Sequence, residues 1–172
     1  MFLWNHRWEY DKNPDLFFEV LFKLKEKDVP FKVIVLGKSY KKSPLIFALA
    51  KERLESEILH FGYAESREAY MELMTKANVL MITSHQDFFG ISIVEAIAAG
   101  CFPVLPNRLS YPEHIASDKH DQCIYESDEV LLSQVEAIIQ TKSYLDTEQY
   151  SDYVQKYNWE NLSDHYKELI LN

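Results

Sequence analysis

Short apolar runs recur along the chain, separated by segments in which apolar residues have helical spacing. An apolar start at residues 1–4 is followed by four runs that contain β-branched residues and end near Gly, Pro or Ser, at residues 31–37, 57–62, 78–84 and 101–106. Runs that are apolar throughout are typical of strands buried on both faces of a parallel sheet. The pattern therefore predicts five such strands, with residues 122–125 as a candidate sixth.

The segments between the runs predict helices at residues 15–27, 44–53, 66–76 and 128–140, and a last helical segment at 150–171 that is broken near Asn158. The first helix has a clear start, because Asn13 is a good N-cap and Pro14 suits the first helical position. Alternating strands and helices indicate an α/β fold with a doubly wound, Rossmann-like parallel sheet. No repeat or linker interrupts the series, so we expect one domain over residues 1–172.

Composition narrows the classes of partner. The 172 residues carry a net charge of −9, and 47% of them are hydrophobic. A nucleic-acid-binding face requires clustered cations, and the one concentration here, Lys38, Lys41 and Lys42, is interpreted as a solvated loop. No apolar run approaches the roughly 20 residues of a membrane span, and the start does not resemble a signal peptide. We therefore expect a cytoplasmic protein without a membrane partner.

Cysteine and histidine usage gives no sign of a metal site. Cys101 and Cys123 lie in apolar surroundings that are predicted to be strands, and are expected to be buried reduced thiols. The six histidines show no paired ligand spacing. We therefore expect neither a resident metal nor a cofactor.

The segment at residues 84–106 carries the most specific chemistry. Asp87 and Glu95 flank a Phe89-Gly90 turn that opens a helix of small residues. A helix N-terminus presents free N–H groups and partial positive charge, which suit a phosphate. Glu95, one turn inside, suits ribose hydroxyls. The alternative interpretation is an ordinary βα unit in which Phe89 lies in the core and Gly100 caps the helix.

Three loops with candidate ligands follow predicted strands. Arg7 and Lys12 follow the first strand, Gly62 and Tyr63 follow the third, and residues 87–90 follow the fourth. An arginine fork and a lysine ammonium are natural partners of phosphate oxygens. Since parallel strands end at one edge, we expect these loops to form a single site.

These residues resemble the donor-binding pattern of the group one, or family four, retaining glycosyltransferases of the GT-B fold. Glu95, Gly100 and a displaced Pro103 match its second half, whereas Asp87 is one methylene shorter than the family's glutamate. The resemblance implies a nucleotide-diphosphate sugar as partner and donor substrate, with no divalent metal required. Arg7 and Lys12 would hold the diphosphate, while Glu95 would bind the ribose and Asp87 the sugar hydroxyls.

The resemblance extends along nearly the whole chain. Gly62 and Tyr63 match the loop that contacts the nucleotide base, and Phe89, Gly90 and Ile91 match the donor-binding turn. Residues 107–115 correspond to a family loop that is rich in glycine. Near the end, Trp159 is expected to be a buried packing anchor of the C-terminal helix.

The opening, WNHRWEYDKNP, resembles a subgroup related to tRNA-queuosine mannosyltransferase. This implies GDP-mannose as the donor and queuosine in tRNA as the acceptor. The chain would then be the C-terminal donor half of a GT-B enzyme, inactive alone and working with an N-terminal acceptor domain that would carry any tRNA contact. Two alternatives stay open: a non-enzymatic nucleotide-sugar-binding module, and a GT-B epimerase or phosphorylase-like enzyme.

Overall fold

The computed structural model describes residues 1–38 and 43–171 as an α/β fold. The strands are β1 (Phe2–Trp4), β2 (Val33–Leu36), β3 (Ile58–Gly62), β4 (Val79–Met81), β5 (Phe102–Pro106) and β6 (Ile124–Tyr125). The helices are α1 (Pro14–Glu26), α2 (Leu45–Arg53), α3 (Arg67–Lys76), α4 (Ile91–Ala98), α5 (His120–Cys123), α6 (Asp128–Thr141), α7 (Glu148–Val154) and α8 (Trp159–Leu171). The expected alternation of strands and helices is confirmed.

The six strands form one parallel sheet in the order β3-β2-β1-β4-β5-β6. Strand order reverses between β1 and β4, where Phe2 pairs with Val79 and Leu3 with Leu80. In such sheets, ligands bind beyond the carboxyl ends of the strands at this reversal. Strands β1, β2, β4 and β5 are buried at every residue, as their unbroken apolar runs predicted.

Single residues account for the start of helix α1 and for the close approach of the loops after β1 and β2. Asn13, in a left-handed conformation, caps α1 by accepting a hydrogen bond from the Leu16 amide, and Pro14 is the first helical residue. Gly37 has a φ of +102°, and a Cβ there would lie 2.2 Å from the carbonyl oxygen of His6. Glycine is therefore required where the loops after β1 and β2 approach each other.

Two expectations are wrong. Trp159 is 68% exposed, not buried, and it stacks on Tyr166 at the surface of α8 with ring centroids 5.9 Å apart. Cys123 ends the short helix α5, although it was expected in a strand; both cysteines are nevertheless buried free thiols.

The C-terminal helical segment is interrupted at Asn158. The break near Asn158 is confirmed, since Asn158 is extended between a 3-10 turn and α8. Of the expected basic loop, Lys41 and Lys42 lie outside the described residues. Among the helices of residues 1–38 and 43–171, none is long and apolar enough to cross a membrane.

Candidate functional site

Side-chain and backbone hydrogen bonds join the loops after β1 and β4 at the reversal of strand order. Thr83 Oγ1 donates to the carbonyl oxygens of Lys12 and Asn13, at 3.1 and 2.8 Å. The amide of His85 donates to the carbonyl of Asp11 at 2.8 Å. The loop that carries Lys12 is therefore fixed against the loop that carries Asp87.

Lys12 is a buried cation at the centre of this edge. Its side chain is 7% exposed, and its Nζ contacts the carbonyl oxygen of Gln86 at 2.6 Å and the carboxylates of Asp87 and Asp11 at 3.3 Å each. Two of the three ammonium hydrogens are donated, to Gln86 and Asp87, whereas the Asp11 contact is an ion pair. A phosphate oxygen at Nζ would therefore compete with the Asp11 carboxylate.

Arg7 and His6 border Lys12 in different ways. Arg7 is 59% exposed, and its guanidinium lies 4.0 Å from the same Asp11 oxygen that contacts Lys12, so both cations meet at one carboxylate.

His6 is buried, and its Nε2 has no hydrogen-bond partner in the described structure. Burial, followed by the charge of Lys12, lowers the pKa of His6 to about 4. The imidazole is therefore neutral at neutral pH.

A left-handed glycine precedes helix α4 at the end of the loop that carries Asp87. Gly90 precedes α4 with a φ of +88°, and a Cβ there would come within 2.9 Å of Ile93 Cδ1. Asp87 Oδ1 accepts the amide hydrogen of Phe88 at 3.0 Å, which leaves Oδ2 to Lys12. The turn therefore carries the negative charge of Asp87 beside the positive end of α4.

Glu95 lies one turn further along α4, in a pocket shared with the loop after β3. Its carboxylate accepts hydrogen bonds from Arg67 Nη2 at 2.6 Å and from Tyr70 Oη at 3.3 Å. Burial, and then the charge of Glu95, raises the pKa of Tyr70 to about 12, so its phenol is a donor. The pocket measures about 360 Å³ and is also lined by Tyr63, whose side chain is exposed.

The structure thus brings the expected residues together as two groups. Lys12 and Asp87 are in contact, with Arg7 one carboxylate away, and Tyr63 and Glu95 line one pocket. The remaining candidates border them. Gly62 ends β3 next to Tyr63, Gly90 and Ile91 open α4, and Phe89 turns its ring and its carbonyl towards His114.

Sequence reasoning missed His114. Its Nε2 lies 2.7 Å from the carbonyl oxygen of Phe89, and its Nδ1 lies 3.2 Å from Tyr157 Oη. Ser110 Oγ donates to the same carbonyl at 3.1 Å. The glycine-rich loop of the family pattern is thus replaced by a loop whose side chains contact the turn before α4. A lone histidine in a loop carries no sequence signal for such a contact.

Within the part of the chain that the structure describes, no group of three His, Cys, Asp or Glu side chains is arranged to hold a metal ion. The expectation that the reaction requires neither metal nor cofactor stays a prediction.

Residues 1–157 match the family model of glycosyl transferases group 1. The chain therefore belongs to this family, as its donor-binding pattern indicated.

The relatives share different parts of the chain. The tRNA-queuosine alpha-mannosyltransferase of Drosophila melanogaster is 41% identical over 111 residues, which cover 64% of this chain and 29% of that protein. A GDP-mannose:cellobiosyl-diphosphopolyprenol alpha-mannosyltransferase of Xanthomonas oryzae is 26% identical over 167 residues, covering 93% of this chain and 43% of that protein. The chain spans less than half the length of either relative.

Solved structures of glycosyltransferases share the fold. The pneumococcal O-GlcNAc transferase GtfA in complex with UDP and GlcNAc superposes with a TM-score of 0.78 at 16% identity, over 98% of this chain and 35% of that one. The C-terminal domain of a glycosyl transferase group 1 protein from Francisella tularensis superposes with a TM-score of 0.72 at 16% identity, over 90% of this chain and 83% of that domain. The Rossmann-like α/β fold is therefore confirmed, and it is shared with GT-B glycosyltransferases.

Proposed function

We propose that this chain binds the nucleotide-diphosphate sugar donor of a retaining hexosyltransferase. The observation that carries the proposal is the junction of β1 and β4, where buried Lys12, the N-terminus of α4 and the pocket beside Glu95 follow one another along one sheet edge. A cation and helix amides suit a diphosphate, and a carboxylate suits vicinal ribose hydroxyls.

In this proposal the site assists departure of the nucleotide. Negative charge develops on the β-phosphate as the bond to the sugar breaks, and fixed positive groups stabilise that charge without reorganising. Lys12 Nζ, Arg7 and the amides that open α4 have this role. Asp87 accepts hydrogen bonds from hexose hydroxyls, and Glu95 accepts them from the ribose. Neither acid is a covalent nucleophile.

The names of the two relatives support mannose as the sugar, and the name of the Xanthomonas relative supports GDP-mannose as the donor. The relative named as a tRNA-queuosine mannosyltransferase supports queuosine in tRNA as the acceptor. With a net charge of −9, this chain lacks the clustered cations of a broad RNA-binding face. We propose that the acceptor is held by a domain corresponding to the part of the relatives that this chain does not cover.

Calorimetry and a transfer assay test the proposal. The 172-residue chain is expected to bind GDP and GDP-mannose, and to transfer no mannose by itself. Absence of binding to either nucleotide would overturn the donor site. Turnover by the chain alone would overturn its assignment as half an enzyme. If the chain binds GDP-mannose but an added acceptor domain brings no transfer, the chain is a nucleotide-sugar-binding module instead.

A further inference from the structure

We infer that His114 is a positioning residue, which together with Ser110 fixes the peptide group between Phe89 and Gly90 so that the Gly90 N–H faces the donor. The inference rests on the proposed donor site and adds residues that do not themselves touch the ligand.

The carbonyl of Phe89 is held from two sides. His114 Nε2 lies 2.7 Å from this oxygen and Ser110 Oγ lies 3.1 Å from it. A carbonyl oxygen can only accept, so the hydrogen of the neutral imidazole must be on Nε2. His114 is fully buried, and Phe89 and Tyr157 pack edge-on against its ring, with centroids 4.9 and 5.5 Å away. The imidazole therefore has little freedom to turn.

The position of Tyr157 is compatible with the tautomer that the Phe89 carbonyl requires. Its Oη lies 3.2 Å from His114 Nδ1 and can donate to it. The same hydroxyl lies 3.2 Å from the carbonyl oxygen of Glu113, which also accepts from Lys156 Nζ at 2.9 Å, so the single phenolic hydrogen can be donated to either acceptor. Burial also lowers the pKa of His114, which favours the neutral ring. With the hydrogen on Nε2 donated to the Phe89 carbonyl, Nδ1 is an acceptor to which the phenol can donate.

The geometry of the peptide bond carries the effect to the site. The C=O of Phe89 and the N–H of Gly90 belong to one planar trans peptide group, and therefore point in opposite directions. Fixing the oxygen towards His114 points the Gly90 N–H away from it. In the described structure, that N–H donates no hydrogen bond to another protein group. Because glycine tolerates both signs of φ, this peptide would be free to flip without the two side-chain contacts.

Glycine-selective ¹⁵N labelling tests the inference on the 172-residue chain with GDP as the probe. The sequence has four glycines, so the spectrum contains four glycine amides. In the wild type, GDP should shift the Gly90 signal, while the Gly100 signal, at the far end of α4, serves as the control. His114→Gln retains an N–H donor and should preserve both the shift and the affinity. His114→Leu should abolish the Gly90 shift and weaken GDP binding about tenfold, which corresponds to one lost donor.

Ser110→Ala is the milder variant, since it removes one contact to the carbonyl and keeps the imidazole. It should reduce the Gly90 shift and decide the question if His114→Leu does not fold. Loss of GDP affinity in His114→Gln as large as in His114→Leu would overturn the inference, because packing rather than the N–H donor would then matter. Wild-type behaviour of both Ser110→Ala and His114→Leu would overturn it as well. Failure of the wild-type chain to bind GDP would instead refute the proposed donor site.

Discussion

Lys12→Met separates the structural role of Lys12 from its proposed role in binding. The ammonium and the Asp87 carboxylate are 3.3 Å apart, with 7% and 18% of their side chains exposed. Coulomb attraction at this distance is about 5 kcal/mol for an effective dielectric constant of about 20, and desolvation offsets much of it. Loss of one partner costs about 3–5 kcal/mol in a buried pair and less than about 1 kcal/mol at the surface. We expect Lys12→Met to destabilise the fold by about 2 kcal/mol.

The double variant Lys12→Met/Asp87→Asn is the decisive comparison. Removing the uncompensated carboxylate should recover much of the stability, measured by urea unfolding. GDP affinity, measured by calorimetry, should fall about tenfold or more in both variants, because a charge-assisted phosphate contact contributes about 1.5–3 kcal/mol. Lys76→Met, which breaks an exposed pair with Glu72, is the matched control and should change neither quantity appreciably. If GDP affinity returns together with stability, the binding role of Lys12 is refuted.

Three further predictions address the neighbouring charges. Asp11→Asn removes the carboxylate shared by both cations, so GDP should bind several-fold tighter and with a steeper salt dependence; unchanged affinity would contradict the shared-carboxylate geometry. The pKa of His6 is lowered from its ordinary 6.5 to about 4, so its contribution to stability is intact above pH 6.5 and decreases by about 3 kcal/mol as pH falls to 4. His6→Gln should flatten this part of the plot of unfolding free energy, measured with urea, against pH. An unaltered plot would contradict the lowered pKa. In calorimetry, Glu95→Ala should weaken GDP and GDP-mannose alike, whereas Asp87→Asn should weaken GDP-mannose alone; equal losses in both variants would remove the sugar-binding role of Asp87.

Much of the fold followed from sequence because its signals are local. Unbroken apolar runs mark strands that are covered on both faces, and Asn13-Pro14 marks a helix start whatever surrounds it. The burial of Trp159 was wrongly predicted, because it does not depend on a local signal alone. Its apolar character predicts burial, but burial also depends on what covers the helix, and in this structure Trp159 stacks on the Tyr166 ring and is 68% exposed.

The candidate site was less predictable, because its geometry depends on contacts between residues distant in sequence. The position of Arg7 and Lys12 after β1 could be deduced from the apolar run at residues 1–4. The sequence could not show that Lys12 is already paired with Asp11 and Asp87, or that Glu95 is bound to Arg67. These pairings arise from loop conformations that only the assembled sheet imposes.

A crystal structure of the 172-residue chain with GDP tests the central claim most directly. The account predicts the diphosphate beyond the carboxyl ends of β1 and β4, with an oxygen within hydrogen-bond distance of Lys12 Nζ and of the Gly90 N–H, and the ribose beside Glu95. GDP bound elsewhere, with the Lys12–Asp87 contact intact and the pocket beside Tyr63 and Glu95 empty, would contradict it.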